Sequence, residues 1–375
     1  MTTTELTKQQ ALIVLNALPH IGPITLNRIL SELGSDPREV FTVGSRRLEE
    51  IQGVGPVISA TIGGWREHFD LAREEERMLL TSTSFVTSCD TAYPPRLLEI
   101  DSAPIGLYRK GNYAFNQPNV AIVGSRRTTL YGQSAAKKLG AELANLGFCV
   151  VSGLARGIDT AAHEGALSAG GKTVAVLGNG IDIIYPAENL GLYRQIAETG
   201  ALLSEFPFTR RADKQSFAMR NRIVSGMSDA VVVVESGASG GAMITARFAG
   251  EQGRLLFAVP GRIDQPSSAG CHQLIRDGAT LLTCVDDILS ELNYLDGLRP
   301  SSIPEKTTGG TALAASNLTP DEKLVYGCFS GGAIISMDQV SSQTGQPIGQ
   351  LSASLMMLEL KRLIAKRADG TYEAR

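Results

Sequence analysis

Asn119-Val120-Ala121-Ile122-Val123-Gly124-Ser125-Arg126 holds an unbroken apolar run, Val120 to Val123, that stops in a Gly-Ser-Arg turn, and this pairing decides the fold. A run that is apolar at every position suits a strand covered on both faces, as in a parallel sheet. Five more runs follow: Cys149-Val150-Val151, Val174–Leu177, Ala201–Leu203, Val231–Val234 and Leu255–Val259. Amphipathic segments such as Ser134 to Leu146, Thr160 to Ala169 and Met243 to Gln252 lie between them. Strand, turn and helix in alternation predict an α/β architecture, a Rossmann-like, doubly wound, mostly parallel sheet.

The turns that follow the runs are Gly124-Ser125-Arg126, Ser152-Gly153, Gly178-Asn179-Gly180, Ser239-Gly240-Gly241 and Pro260-Gly261. In a parallel sheet they share one edge, where free backbone N–H groups and the positive ends of helix dipoles collect. Such an edge binds anions, and several turns side by side suit a ligand with several phosphates, such as nucleic acid. The Glu235 to Thr245 turn is especially rich in glycine. Its Ser239, Gly240 and Gly241 allow close approach to a phosphate, with Thr245 one turn inside. No G-x-G-x-x-G follows the first strand and no G-x-x-x-x-G-K-[ST] occurs, which argues against a dinucleotide-binding dehydrogenase or a P-loop ATPase.

A formal charge of −3 advertises no polyanion partner, so positive charge has to be local. Between Arg210 and Arg222 stand Arg210, Arg211, Lys214, Arg220 and Arg222 against Asp213 alone, with Phe217 among them. A basic strip with an interleaved aromatic is what single-stranded nucleic acid needs: cations follow the backbone and the ring stacks on a base. The same residues also fit a surface helix with Phe217 turned into the core. No carboxylate pair, metal-ligand cluster or nucleophile with its base stands out, so neither catalysis nor a cofactor is expected. His163 near Asp159 reads as a packing residue, and Cys271-His272 are chain neighbours, which seldom form a catalytic pair. Five scattered cysteines without a C-x-x-C pair fit a reducing cytoplasm. No apolar run approaches membrane-spanning length and the amino terminus lacks an export signal, so neither export nor a membrane is expected.

Around the sheet the chain divides further. Residues 1–72 predict a helical, helix-hairpin-helix or SAM-like domain, in which His20-Ile21-Gly22-Pro23 and Gly53-Val54-Gly55-Pro56 each precede a helical apolar pattern. Those turns present amides to a DNA phosphate or are packing turns of a small bundle. Residues 73–295 form the sheet domain with a lead-in through Tyr93-Pro94 to Tyr108, whose Leu97, Leu98, Ile100, Ile105 and Leu107 need burial. Residues 296–318 read as a flexible linker. In 319–375, a helix start at Thr319-Pro320, a short helix over Ser336–Thr344, a third helix with Ile348, Leu351, Leu355 and Leu358 on one face and a closing hairpin predict a winged helix.

Taken in order, Gly124-Ser125-Arg126, Ser152 to Asp159, Gly178-Asn179-Gly180 with Tyr185-Pro186, Phe217 with Arg220-Asn221-Arg222, Ser239-Gly240 with Thr245-Ala246, Pro260-Gly261 and Gly270 to Ile275 resemble the DprA (Smf) DNA-processing family. The resemblance covers nearly the whole chain. It implies a homodimeric, non-enzymatic recombination mediator that binds single-stranded DNA, protects DNA taken up in natural transformation and loads the RecA recombinase. It also implies that Arg126 grips phosphate and that Lys214 and Phe217 contact the strand. Phe206-Pro207-Phe208-Thr209 departs from the family by lacking the glycine that often follows its Glu-x-Pro. The residues expected to touch DNA are therefore Gly124, Ser125, Arg126, Ser152, Gly153, Lys214, Phe217, Arg220, Asn221, Ser239, Gly240, Gly241 and Thr245. The competing reading is an enzyme, since the turn after Glu235 is similar to that of nucleotide phosphoribohydrolases, with Arg126 and Glu235 as its candidate catalytic groups.

Overall fold

A computed structural model describes residues 6–34, 36–292, 318–329, 335–361, 363–366 and 370–374. The chain forms two compact units, Met1–Leu298 and Arg299–Arg375.

In the first unit the described strands are β1 (Ser84–Thr87), β2 (Gly106–Gly111), β3 (Asn119–Val123), β4 (Cys149–Ser152), β5 (Thr173–Leu177), β6 (Ala201–Ser204), β7 (Ala230–Val233), β8 (Leu255–Ala258) and β9 (Thr280–Leu281). They form one sheet in the order β1-β2-β6-β5-β4-β3-β7-β8-β9, antiparallel at β1/β2 and β2/β6 and parallel elsewhere. The apolar runs are unbroken because β3 to β7 are buried along their whole length. Alternate residues serve two cores. Ala121 and Val123 face one that also holds Ile223, Val224 and Ala246; Val120 and Ile122 face another that holds Leu139, Leu143 and Ala162. The helices responsible are α10 (Lys214–Gly226) and α11 (Gly241–Glu251) on the first face, and α7 (Leu130–Asn145) and α8 (Ile158–Ser168) on the second; the same unit also holds α9 (Leu190–Thr199), α12 (Ala269–Arg276) and α13 (Val285–Glu291). From β3 the chain steps through β4, β5 and β6 and then returns to β7 on the other side of β3, so the switch point of the doubly wound sheet lies between β3 and β7.

The amino-terminal segment supplies α1 (Lys8–Ala17), α2 (Pro23–Leu33), α3 (Ser45–Glu49), α4 (Pro56–Gly63), α5 (Trp65–His68) and α6 (Leu71–Leu80). Gly22 and Gly55 are the N-caps of α2 and α4, each followed by Pro at the first helical position, as the Gly-Pro spacing predicts. The expected boundary at residue 72 falls inside α6. These helices share a core with the sheet, where Ile13 packs in a cluster with Phe85 and Tyr108. Gln9 and Asn16 donate side-chain hydrogen bonds to the carbonyls of Phe85 (2.9 Å) and Glu205 (2.6 Å). In the lead-in segment Leu97, Ile100, Ile105, Leu107 and Tyr108 are buried, whereas Leu98, expected inside, is 55% exposed.

The second unit contains α14 (Pro320–Gly327), α15 (Met337–Thr344), α16 (Ile348–Leu360) and the antiparallel pair β10 (Ile364–Lys366) and β11 (Tyr372–Ala374). These make the winged helix that the sequence predicts. Capping boxes at Thr319 with Glu322 and at Ser336 with Gln339 start its first two helices. Val325, Val340, Leu351, Leu355 and Leu358 fill its core, but Ile348 is 53% exposed and does not join their face. Residues 296–317 of the expected linker lie outside the described residues; Leu318 is buried in the core of this unit rather than part of a linker. Among the described residues no helix is long and apolar enough to cross a membrane.

Candidate nucleic-acid interface

The loops after β3 and β7 meet at the switch point. Ser125 N donates to Glu235 O at 2.7 Å, and Ser125 O accepts from Ile158 N at 3.2 Å, which joins the β4–α8 loop to the same assembly. Gly157 closes that junction with φ 80°; a Cβ there would lie 2.3 Å from Ser125 O. Ser125 also bridges its own turn, accepting from Arg127 N at 3.1 Å. The backbone of this turn is thereby fixed, and Arg126 is left exposed above it.

The Arg126 guanidinium lies 4.6 Å from the centroid of the Phe217 ring, a cation–π contact that joins the β3 turn to α10. Phe217 is half-buried. One edge of its ring rests on Gly178, where a Cβ would come within 2.8 Å, and Tyr185 stands 5.7 Å away with its ring tilted 45°. Lys214, three residues earlier on the same helix, is exposed. Beyond them Gly240 caps α11 with its backbone alone, so no side chain occupies the amides of that helix start, and Ser239 and Gly241 are exposed. Asn221 ties α10 to this turn by donating to Gly241 O at 3.3 Å. Gly124, Ser125, Arg126, Lys214, Phe217, Asn221, Ser239, Gly240 and Gly241 thus cluster around one edge of the sheet.

Four expected contacts lie beneath that edge instead, and are corrected to supporting roles. Ser152 is fully buried and its hydroxyl donates to Ile122 O at 2.6 Å. Thr245 is 2% exposed, inside α11 where it packs on the sheet. Arg220 is 4% exposed; its Nη1 donates to Gly153 O at 2.7 Å and to Val176 O, bridging the ends of β4 and β5. Gly153 in turn lacks a side chain because the guanidinium lies against it, 2.5 Å from where a Cβ would be. The basic strip is thinner than its composition promises. Arg222 is buried and paired with Glu205 at 2.6 Å, and Arg210 is paired with Asp213 at 2.7 Å. Arg126, Arg127, Arg211 and Lys214 remain exposed and, among the described residues, make no ion pair.

The residues that the sequence reading missed sit in the loops after β5 and β6. A cavity of ≈ 560 Å³ is lined by Asp182, Ile183, Tyr185, Thr209, Arg211, Ala212 and Phe217. Gly180 N donates to Arg210 O at 2.8 Å and Asn179 Nδ2 to Ile183 O at 2.7 Å, which fixes one wall against the other. In the Phe206–Thr209 segment, Thr209 adopts φ 66° and its N–H donates to the Asp182 carboxylate oxygens at 2.9 and 3.2 Å. The Gly178-Asn179-Gly180 turn was the available signal for this loop.

Glu235, the carboxylate of the enzyme reading, is 4% exposed and occupied. It accepts from Thr128 Oγ1 at 2.5 Å and from Thr129 N at 2.9 Å, at the start of α7. Burial raises its pKa, but hydrogen bonds from Ser267, Thr128 and Thr129 outweigh that and hold the carboxyl below its ordinary value. His163 is fully buried with Nδ1 2.6 Å from Thr173 Oγ1, and burial pushes its pKa down to about 3. The Cys271 thiol is likewise buried and pushed up to about 11, while the His272 ring hydrogen-bonds Gly261 O at 2.9 Å. The Thr173 hydroxyl beside His163 and the Cys271 thiol are themselves fully buried.

Residues 84–293 match the sequence profile of DNA recombination-mediator protein A, and residues 310–370 match that of the DprA winged helix domain. The chain belongs to the DprA/Smf family. Protein Smf of Synechocystis is 32% identical over 95% of this chain and 96% of its own length. The X-ray structure of DNA processing protein A from Streptococcus pneumoniae superposes with a TM-score of 0.66 at 34% identity, covering 77% of this chain and 99% of that one. A solved structure of DNA processing protein A from Helicobacter pylori, described for its unique single-stranded DNA binding mode, does so with a TM-score of 0.51 at 31% identity over 56% of this chain and 96% of its own. Family membership therefore covers both the sheet and the winged helix.

Proposed function

We propose that this chain binds single-stranded DNA along the loops at the carboxyl edge of its sheet and acts as a recombination mediator in the cytoplasm. Working as a homodimer, it protects DNA taken up in natural transformation and loads the RecA recombinase onto it. The observation that carries the binding reading is the Arg126–Phe217 contact at 4.6 Å, which brings a phosphate-seeking cation and a stacking ring to one place beside the uncapped start of α11. The single-stranded DNA binding described for the Helicobacter pylori relative supports it. The occupied Glu235 speaks against the phosphoribohydrolase alternative, because a carboxylate engaged by three donors is poorly placed to act on a ribose.

Fluorescence anisotropy with a labelled thymidine oligonucleotide tests the reading. Affinity is expected to fall steeply with salt, and Lys214→Ala is expected to reduce the slope of log K against log [salt] by about 0.7, one phosphate on a single strand. Salt-independent binding, or an unchanged slope in both Lys214→Ala and Arg126→Ala, removes the assignment. Release of free base from nucleoside monophosphates by the same preparation would instead favour the enzyme. For RecA, the expected result is faster filament formation on strand already coated by a single-strand-binding protein.

A further inference from the structure

We propose that Glu74 of α6 and Asn16 of α1 are positioning residues for the DNA interface, holding the β6–α10 loop so that its Arg211 faces the strand. This rests on the single-stranded DNA reading above and gives the amino-terminal helices a part in it that needs no contact with the strand.

The chain from Glu205 to Asp213 runs from the end of β6 to the start of α10 and carries Arg211, which is exposed. The sheet holds this loop by one set of bonds: Ser204 Oγ donates to Asn179 O at 2.6 Å, and Gly180 N donates to Arg210 O at 2.8 Å. The amino-terminal helices hold it by another. Asn16 Nδ2 donates to Glu205 O at 2.6 Å, and Phe208 N donates to Glu74 Oε1 at 2.9 Å. The Phe208 ring stands edge-on to Tyr108 at 5.7 Å, in the cluster that Ile13 of α1 joins.

Two consecutive amides are thus taken by carboxylates from separate elements, Phe208 N by Glu74 and Thr209 N by Asp182. Thr209 sits at φ 66°, where a β-branched residue is an outlier that persists only when its surroundings over-determine it. Without Glu74 the buried Phe208 N–H loses its partner and one of the two holds on Thr209 goes. The loop then relaxes at Thr209, and Arg211, two residues on, loses its set direction. Helix α6 is built for this hold rather than for apolar packing, because Glu74 is its one buried residue while Leu79 and Leu80 are 82% and 76% exposed. Burial raises the Glu74 pKa, which fits an acceptor oxygen rather than a charge as its contribution to the loop.

The test is a double-mutant cycle on the full chain, read by anisotropy of a labelled oligothymidylate. Glu74→Ala is expected to weaken binding about 2- to 12-fold, the range for ordering one long side chain on association. In an Arg211→Ala background it should weaken binding no further, although thermal unfolding should show the same loss of stability in both backgrounds. A merely structural role would cost the same factor of affinity with and without Arg211. Glu74→Gln keeps an oxygen for Phe208 N and is expected to recover most of the loss. Should Glu74→Ala fail to fold, Asn16→Ala, which frees only Glu205 O, is expected to show the same coupling to Arg211. Native affinity in these variants, a loss that persists unchanged when Arg211 is alanine, or Glu74→Gln as weak as Glu74→Ala overturns the proposal while leaving the DNA reading in place. A native chain that binds no strand defeats both together.

Discussion

Replacing Phe217 by alanine is expected to weaken single-stranded DNA binding by about 1–3 kcal/mol, the worth of one base on an aromatic platform. Arg126→Ala is expected to weaken it as well, through one lost phosphate contact. The two losses do not add, because the ring serves Arg126 too. With its guanidinium 4.6 Å over the ring, Arg126 is ordered before DNA arrives. Without the ring, that ordering is charged to binding, at about 0.5–1.5 kcal/mol for a long side chain. The double variant has no arginine to order. Its loss should therefore be smaller than the sum of the single losses by about that amount, a coupling that a double-mutant cycle of anisotropy titrations resolves. Strict additivity would show that the ring and the guanidinium act separately. A double loss greater than the sum would show that the base displaces Arg126 from the ring instead of binding beside it.

Arg220→Met should cost the fold about 3–5 kcal/mol, the scale for breaking a buried charge arrangement by removing one member. Arg220 is 4% exposed and the Asp159 carboxylate close to it is 6% exposed. Burial lowers the Arg220 pKa to about 10 although Asp159 opposes the shift, and burial raises that of Asp159 although Arg220 opposes it. Each charge is thus only partly compensated by the other. Methionine leaves Asp159 with the N–H groups of Gly153 (3.1 Å) and Ala155 (3.3 Å) and the charge of Arg126, and it strips a donor from the carbonyls of Gly153 and Val176. Urea unfolding of the full chain should show the loss, and adding Asp159→Asn should recover part of it by removing the stranded charge. A change below about 0.5 kcal/mol, the range of ordinary surface substitutions, would contradict this structural role.

The sheet was legible because its strands are buried on both faces, which makes each an unbroken apolar run; the run at Val120–Val123 and the strand Asn119–Val123 differ by one residue. Glycine turns showed equally well, since they mark places where another backbone or a side chain packs close, as Arg220 does on Gly153 and Phe217 on Gly178, or where a helix begins uncapped. The basic strip was misjudged because composition was counted and helical spacing was not. Ser216, Arg220, Ile223 and Met227 recur at intervals of four, three and four residues and are all buried, whereas Lys214 is exposed and Phe217, half-buried, lines the cavity. That periodicity was present in the sequence. The cavity was not, for it arises where the β5 and β6 loops cross: Asp182 meets Thr209 27 positions away, and no local pattern announces such a contact.

Photo-crosslinking tests the central claim most directly. A single-stranded oligonucleotide carrying 5-iododeoxyuridine, bound to the full chain, irradiated and mapped by peptide mass, should mark Tyr185 or Phe217, and Arg126→Ala should diminish that product. Crosslinks confined to the amino-terminal helices or the winged helix, with neither aromatic modified, would contradict a strand lying along the carboxyl edge of the sheet.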